Sequence, residues 1–258
     1  MRLAVISDIH GNLRALEEVL VDITERSPDL IVNLGDCVTS PLWPRETLEL
    51  LETLSLPTVR GNHDRWIDHG PDASDTPSVV FSRAALTGTQ RKLLGALPAS
   101  LEVADGVLAV HGTPTSDVEY LLEAKVDGRL SLVNADTLAE RLGDVSAELI
   151  LCGHSHHQHV AADRRGRLVL NPGSVGCPRY ADNADRLVNE AGSPHARYAV
   201  ATKRGSSWSI DLIVVAYPWS SVAEQAERNG REDWARGFSA WDERGSSRQS
   251  VIGRQSAV

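Results

Sequence analysis

The chain has 258 residues, 41% of them hydrophobic and 24% charged, the balance of a globular protein with a sizeable core. A net charge of -9 argues against an extended, sequence-independent grip on nucleic acid, which needs a basic footprint. Three cysteines supply no disulfide framework, and no apolar run reaches the ~20 residues of a membrane span. The N-terminal apolar run is too short for a signal peptide and Asp8 interrupts it, so the expected setting is the reducing cytoplasm, with no membrane partner.

In chain order, Leu3 to Ile6 is an apolar strand that stops on Ser7-Asp8-Ile9-His10-Gly11-Asn12. Leu13 to Glu25 has amphipathic helix spacing and ends at Ser27-Pro28. Leu30 to Leu34 is a second strand, ending on Gly35-Asp36. Glu46 to Leu54 is a helix, and Thr58 to Arg60 a short strand ending on Gly61-Asn62-His63-Asp64. This βαβαβ order predicts a parallel sheet flanked by helices. Trp66 to Ser78 reads as a loop, and Val79 to Leu97 as two helical stretches broken near Thr87-Gly88. Leu101 to Val110 reads as a hairpin about Asp105-Gly106, running into His111-Gly112. A short helix is expected over Asp117 to Leu122 and another over Asp136 to Leu142, with Asp136 as N-cap. A strand from Glu148 to Leu151 ends on Gly153-His154-Ser155-His156. Leu168 to Leu170 is a strand before the turn Asn171-Pro172-Gly173-Ser174-Val175-Gly176. A polar loop follows from Tyr180 to His195, then strands at Arg197 to Thr202 and Trp208 to Val215. Helices at Ser220 to Asn229 and Arg231 to Arg236 close one domain, 1–244, and the Ser/Arg/Gln-rich tail 245–258 is expected to be disordered.

Asp8 with His10, Asp36, Asn62 with His63, His111, and His154 with His156 each follow an apolar run of strand type. In open α/β sheets, ligands bind at such carboxyl ends. Carboxylate, imidazole and amide donors without thiolate suit Mn, Fe, Co, Ni or Zn better than Ca or Mg. So many donors are too many for one ion and suit two ions sharing a carboxylate bridge.

These five motifs, in this order and spacing, resemble the calcineurin-like metallophosphoesterases, and the turn at 171–176 resembles their small single-domain bacterial and archaeal phosphodiesterase branch. The resemblance covers about Met1 to Trp234. It implies a four-layer α/β/β/α sandwich with two mixed β-sheets, an α/β protein. It implies one divalent ion held by Asp8, His10, Asp36 and His156, and a second by Asp36, Asn62, His111 and His154, with Asp36 bridging. His63 would be the catalytic histidine, contacting the phosphoryl oxygen or protonating the leaving group. The implied reaction is hydrolysis of a small phosphodiester or nucleotide, such as a cyclic nucleotide, by a hydroxide bridging the two ions; manganese is one candidate metal. The alternative is a metal-binding, catalytically silent interaction scaffold of the same fold.

One motif departs from the family. Many members, the serine/threonine phosphatases among them, read Gly-Asp-x-x-Asp-Arg where this chain reads Gly35-Asp36-Cys37-Val38-Thr39-Ser40. Thr39 stands in place of the acid that orients the catalytic histidine, and Ser40 in place of an arginine that grips phosphate. A diester carries one charge less than a monoester, so the departure favours diesters. Substrate contacts are expected from Asn12, which is otherwise a helix N-cap, and from Arg179, which is otherwise a surface ion pair. The sequence sets no oligomeric state.

Overall fold

Strand β1 (Arg2–Ile6) is buried on both faces, and the two faces serve different layers. Leu3 and Val5 pack against Val107, Ala109, Leu149 and Leu151 of a second sheet. Ala4 and Ile6 pack against Ala15, Leu16, Val19 and Ile23 of helix α1 (Leu13–Arg26). The period of two in a strand sends alternate side chains to opposite faces, so one continuous apolar run seals two interfaces. The structure is a computed structural model that describes residues 1–72, 75–182 and 187–239. The tail from Gly245 and the expected domain end at residue 244 lie outside the described residues.

The first sheet pairs β1 in parallel with β2 (Leu30–Asn33) and antiparallel with β12 (Ala196–Arg204), which pairs antiparallel with β13 (Ser207–Val215). The second runs β3 (Ser100–Ala104), β4 (Val107–Val110), β7 (Leu149–Leu151), β9 (Leu168–Pro172), β8 (Gln158–Ala162). Its β4–β7 and β7–β9 pairs are parallel and its outer pairs antiparallel. The outer face of the first sheet is covered by α1 and α7 (Trp219–Arg228), that of the second by α6 (Ala135–Leu142). Two mixed sheets between helical layers give the α/β/β/α order. Helices α2 (Pro44–Leu54), α3 (Asn62–Asp68), α4 (Pro77–Ala85) and α5 (Gly88–Gly95) gather around Cys37 and Val38 at one end of the sandwich.

Several sequence expectations are corrected. Thr58 to Arg60 makes a single bridge, Asn33 to Thr58, rather than a strand. The chain turns instead into α3, because the Asp64 carboxylate accepts from Gly61 N at 2.9 Å and starts a helix there. That helix carries Trp66, so the expected loop is shorter. No helix forms over Asp117 to Leu122. Leu121 and Leu122 are buried under α6, and a hairpin follows, β5 (Glu123–Val126) and β6 (Arg129–Leu132). Asp127 and Gly128 both take positive φ, +50° and +75°, the turn chemistry of a tight hairpin. Asn134 rather than Asp136 caps α6, accepting from two backbone N–H groups at 3.0 Å. The polar loop after Tyr180 contains a ribbon, β10 (Arg179–Asp182) with β11 (Leu187–Glu190).

Leu149 is fully buried between the sheets. Leu149→Ala is expected to cost about 2–5 kcal/mol, read as a lower denaturant midpoint at unchanged slope.

Candidate metal centre

Six of the seven expected donors sit where a strand stops. Asp8 and His10 follow β1, Asp36 follows β2, His111 follows β4, and His154 and His156 follow β7; Asn62 opens α3. Parallel pairing within each sheet brings these ends to one edge of the sandwich. At that edge the backbone is strained. Asp8, His10, Asp36, His154 and His156 all take left-handed φ, between +48° and +67°. Non-glycine residues rarely do so, and such strain persists only where surrounding bonds enforce it.

Those bonds are visible. Asp8 N, His10 N and Gly11 N donate to the carbonyls of Gly35, Asp36 and Cys37, tying the first loop to the second. The Asp64 carboxylate accepts from Asp36 N at 2.8 Å and Cys37 N at 3.0 Å, besides Gly61 N. Burial and the Asp36 charge push Asp64 up to about 7, but its three N–H donors require acceptor oxygens and favour the carboxylate. Gly61 lets the third loop approach. A Cβ there would stand 2.5 Å from Asp36 N and closer still to Asp36 Oδ1.

The side chains converge on two adjoining points. His10 Nε2 lies 3.2 Å from His156 Nε2, and Asp8 Oδ1 lies 3.3 Å from His156 Nε2. Asp36 Oδ2 is 3.7 Å from His10 Nε2 and 3.5 Å from His111 Nε2. His111 Nε2 is 3.1 Å from Asn62 Oδ1. Donor atoms of Asp36, His111 and His154 lie within 4.8 Å of one another, as do those of Asp8, His10 and Asp36.

The tautomers decide what these contacts mean. Nδ1 of His10, His111 and His156 points at the carbonyls of Thr39, Leu34 and Cys177, at 3.0, 2.7 and 2.8 Å. A carbonyl only accepts, so Nδ1 carries the proton and Nε2 of the neutral ring presents a lone pair. In the neutral state His10 and His156 then aim lone pairs at each other, and His111 aims one at the Asn62 oxygen. Asp8 Oδ1 is buried with no hydrogen-bond partner, while Oδ2 accepts from Ser7 Oγ and His154 N. Facing acceptors without donors are resolved by positive charge. Burial opposes charge on His111, yet Asp36 outweighs it and holds that imidazole up at about 10. Burial also opposes the Asp8 carboxylate, but His156 holds it down at about 2. Burial drives His10 to about 3 and His154 to about 4, the neutral forms a cation needs. The donor set therefore fits divalent metal.

His63 opens toward the same point. Its backbone N donates to Asp36 Oδ1 at 2.9 Å and its Nε2 lies 4.0 Å from Asp36 Oδ2. Among the described residues no acid meets its Nδ1. The Trp66 ring, one turn on in α3, packs against it at 4.6 Å, and Nδ1 is buried without a partner. Thr39 gives its carbonyl to His10, and Ser40 is sealed inside, donating N–H to Ser82 Oγ and accepting at its own Oγ from Leu42 N. Asn12 does not reach the site. It caps α1 through Ala15 N and spends its amide on Gly176 O and Tyr217 Oη. Arg179 does line the cavity above the donors, paired with Glu190 at 2.9 Å.

Sequence reasoning missed six neighbours. Tyr120 stacks on His154 at 4.7 Å, and Tyr180 meets the His156 edge at 4.7 Å. Cys177 falls within ligand distance of His10 and His156. Arg231, just before the C-terminal helical turns at 232–239, and Trp234 and Arg236 within them close a cavity of about 890 Å³. No motif marks these residues, because each is brought in by tertiary packing.

A model of the calcineurin-like phosphoesterase superfamily domain matches residues 1–191. The chain belongs to the calcineurin-like phosphoesterase superfamily. Within known superfamily structures, it is similar to a metallophosphoesterase from Sphaerobacter thermophilus, at 27% identity and a TM-score of 0.70, covering 93% of this chain and 99% of that one. The hypothetical protein PH1004 from Pyrococcus horikoshii OT3 shares the fold at 21% identity and a TM-score of 0.70, covering 89% and 94%. The uncharacterized protein MJ0912 of Methanocaldococcus jannaschii is 28% identical over 257 residues, 90% of this chain and 94% of that protein. Superfamily membership makes the chain a metal-dependent phosphoesterase by class. Among the described residues no helix is long and apolar enough to cross a membrane.

Gly61→Ala is expected to displace Asp36 and so to lower metal content, measured by elemental analysis after dialysis. Because Gly61 has φ of -81°, the effect is steric and not conformational.

Proposed function

We propose that the protein hydrolyses a small phosphodiester with two divalent ions of the Mn-to-Zn series, one within reach of Asp8, His10, Asp36 and His156, the other within reach of Asp36, Asn62, His111 and His154. The observation that carries the two-ion reading is Asp36, whose Oδ2 faces His10 of one group and His111 of the other. The ions, when bound, supply an activated water and neutralise charge that develops on the phosphoryl oxygens. The residues of the chain then have separate tasks. Asp36, anchored by Asp64, fixes the spacing of the two groups. His63, held by its backbone bond to Asp36 and by Trp66, would give its proton to the leaving oxygen.

Four features support a diester. Ser40, where relatives carry a phosphate-gripping arginine, is buried and hydrogen-bonded away from the cavity. The cavity arginines are each already paired with a carboxylate, Arg179 with Glu190, Arg231 with Asp233 and Arg236 with Glu232. A second ester group has room, because about 890 Å³ far exceeds one phosphate and lies in the range of small-molecule sites. Trp66, Tyr120 and Trp234 offer aromatic faces to it, which suits a nucleoside or aryl group.

Bis(p-nitrophenyl) phosphate is expected to give a higher kcat/KM than p-nitrophenyl phosphate; the reverse order would remove the diester reading. Asp36→Asn should lower metal content and activity together, the activity by more than about 100-fold; full occupancy by two ions would remove the bridging role. His63→Ala should keep its metal and lose about 10²–10⁴-fold, most for esters with poor leaving groups. Equal losses across a leaving-group series would argue against proton donation.

A further inference from the structure

A second group of metal-type donors lies behind the loop that carries His154 and His156. Glu123 opens the hairpin β5, His157 precedes β8 and His159 lies within it. One donor atom from each falls within 4.8 Å of the others. His159 Nε2 is 3.7 Å from Glu123 Oε1, and the two imidazole centroids are 5.7 Å apart. None of the three lines the cavity of the first site.

We propose that Glu123, His157 and His159 form a separate binding site for a single zinc-type divalent cation. Two imidazoles and one carboxylate are a donor set that zinc, nickel and cobalt take readily, with a remaining position left to water.

Glu123 is 2% exposed, although a carboxylate is seldom buried without a countercharge. Burial pushes its carboxyl up to about 7, against the lesser pull of the Ser155 hydrogen bond and the Arg141 charge. Its orientation is fixed from behind. Ser155 Oγ donates to Glu123 Oε1 at 2.9 Å, and Asn171 Nδ2 donates to Ser155 Oγ at 3.0 Å. Such outer hydrogen bonds aim a ligand and raise its metal affinity. His157 and His159, two residues apart at the start of a strand, leave the backbone on the same side. Both rings are partly exposed, which gives an ion a path from solvent.

The site would also brace the first one. Ser155 sits between His154 and His156, so an ion on Glu123 and His157 clamps both sides of the strained turn. It joins β5 to β8 across the loop that supplies two donors of the catalytic group.

The test uses the full-length protein and zinc alone. Equilibrium dialysis at micromolar free zinc, followed by elemental analysis, is expected to give one equivalent less for Glu123→Gln than for the unsubstituted chain. The glutamine keeps the shape and the Ser155 hydrogen bond but loses the charge. His157→Asn/His159→Asn should lose the same equivalent, with circular dichroism confirming the fold. Anomalous diffraction at the zinc edge from the unsubstituted protein should place a peak among the three side chains. An unchanged stoichiometry in folded Glu123→Gln, or no anomalous peak there, overturns the site. Loss of the first-site ions alone, as in Asp36→Asn, leaves this equivalent in place, so the two sites fail independently.

Discussion

The structure depends on the position of one carboxylate, Asp36, in a left-handed turn that its own side chain could not hold. Asp64 fixes it by taking the N–H groups of Asp36 and Cys37, and the same carboxylate starts α3 at Gly61. One buried acid therefore sets the second and third loops relative to each other. The first loop is tied to the second by three backbone bonds. The donors of one sheet are thereby positioned before any contribution from the other sheet, whose His111 adds its Nδ1 bond to Leu34 O.

The arrangement is costly for the apoprotein. Left-handed backbone at five non-glycine donors stores strain of order 1 kcal/mol or more at each. With the imidazoles neutral, lone pairs on His10, His156, His111 and Asn62 face one another, and one Asp8 oxygen has no partner. A divalent cation relieves the electrostatic part, so metal binding and stability are linked.

His63 illustrates a change of means. The acid that orients this histidine in many relatives is absent, and Thr39 at that position lends its carbonyl to His10 instead. The ring is held by an aromatic edge from Trp66 and by a backbone bond to Asp36. An aromatic contact restrains the ring plane without adding negative charge next to the phosphoryl group. Among the described residues the cavity arginines, Arg179, Arg231 and Arg236, are each paired with a carboxylate.

The sequence by itself determined the donors and their order. Apolar runs of strand length, each stopped by Asp, Asn or His beside glycine, placed Asp8, His10, Asp36, His111, His154 and His156 at strand ends. Parallel β1–β2 and β4–β7 pairing then brought those ends to one edge, as the alternating strand and helix pattern implied. Local signals failed where the outcome was set by distant partners. Thr58 to Arg60 looks like a strand, but the Asp64 cap turns the chain into α3 one residue later. Gln158 to Ala162 opens on Gln and His and carries only a short Val-Ala-Ala run, and it forms a strand by pairing antiparallel with β9. The sequence leaves Asn12 between N-cap and substrate contact; in the fold it caps α1 and its amide bonds Gly176 O and Tyr217 Oη. The tautomers at the metal centre, the closure of the cavity by Trp234, and the meeting of Glu123 with His157 and His159 depend on groups far apart in the chain. Only tertiary packing decided them, because hydrogen-bond partners and burial are properties of neighbours in space.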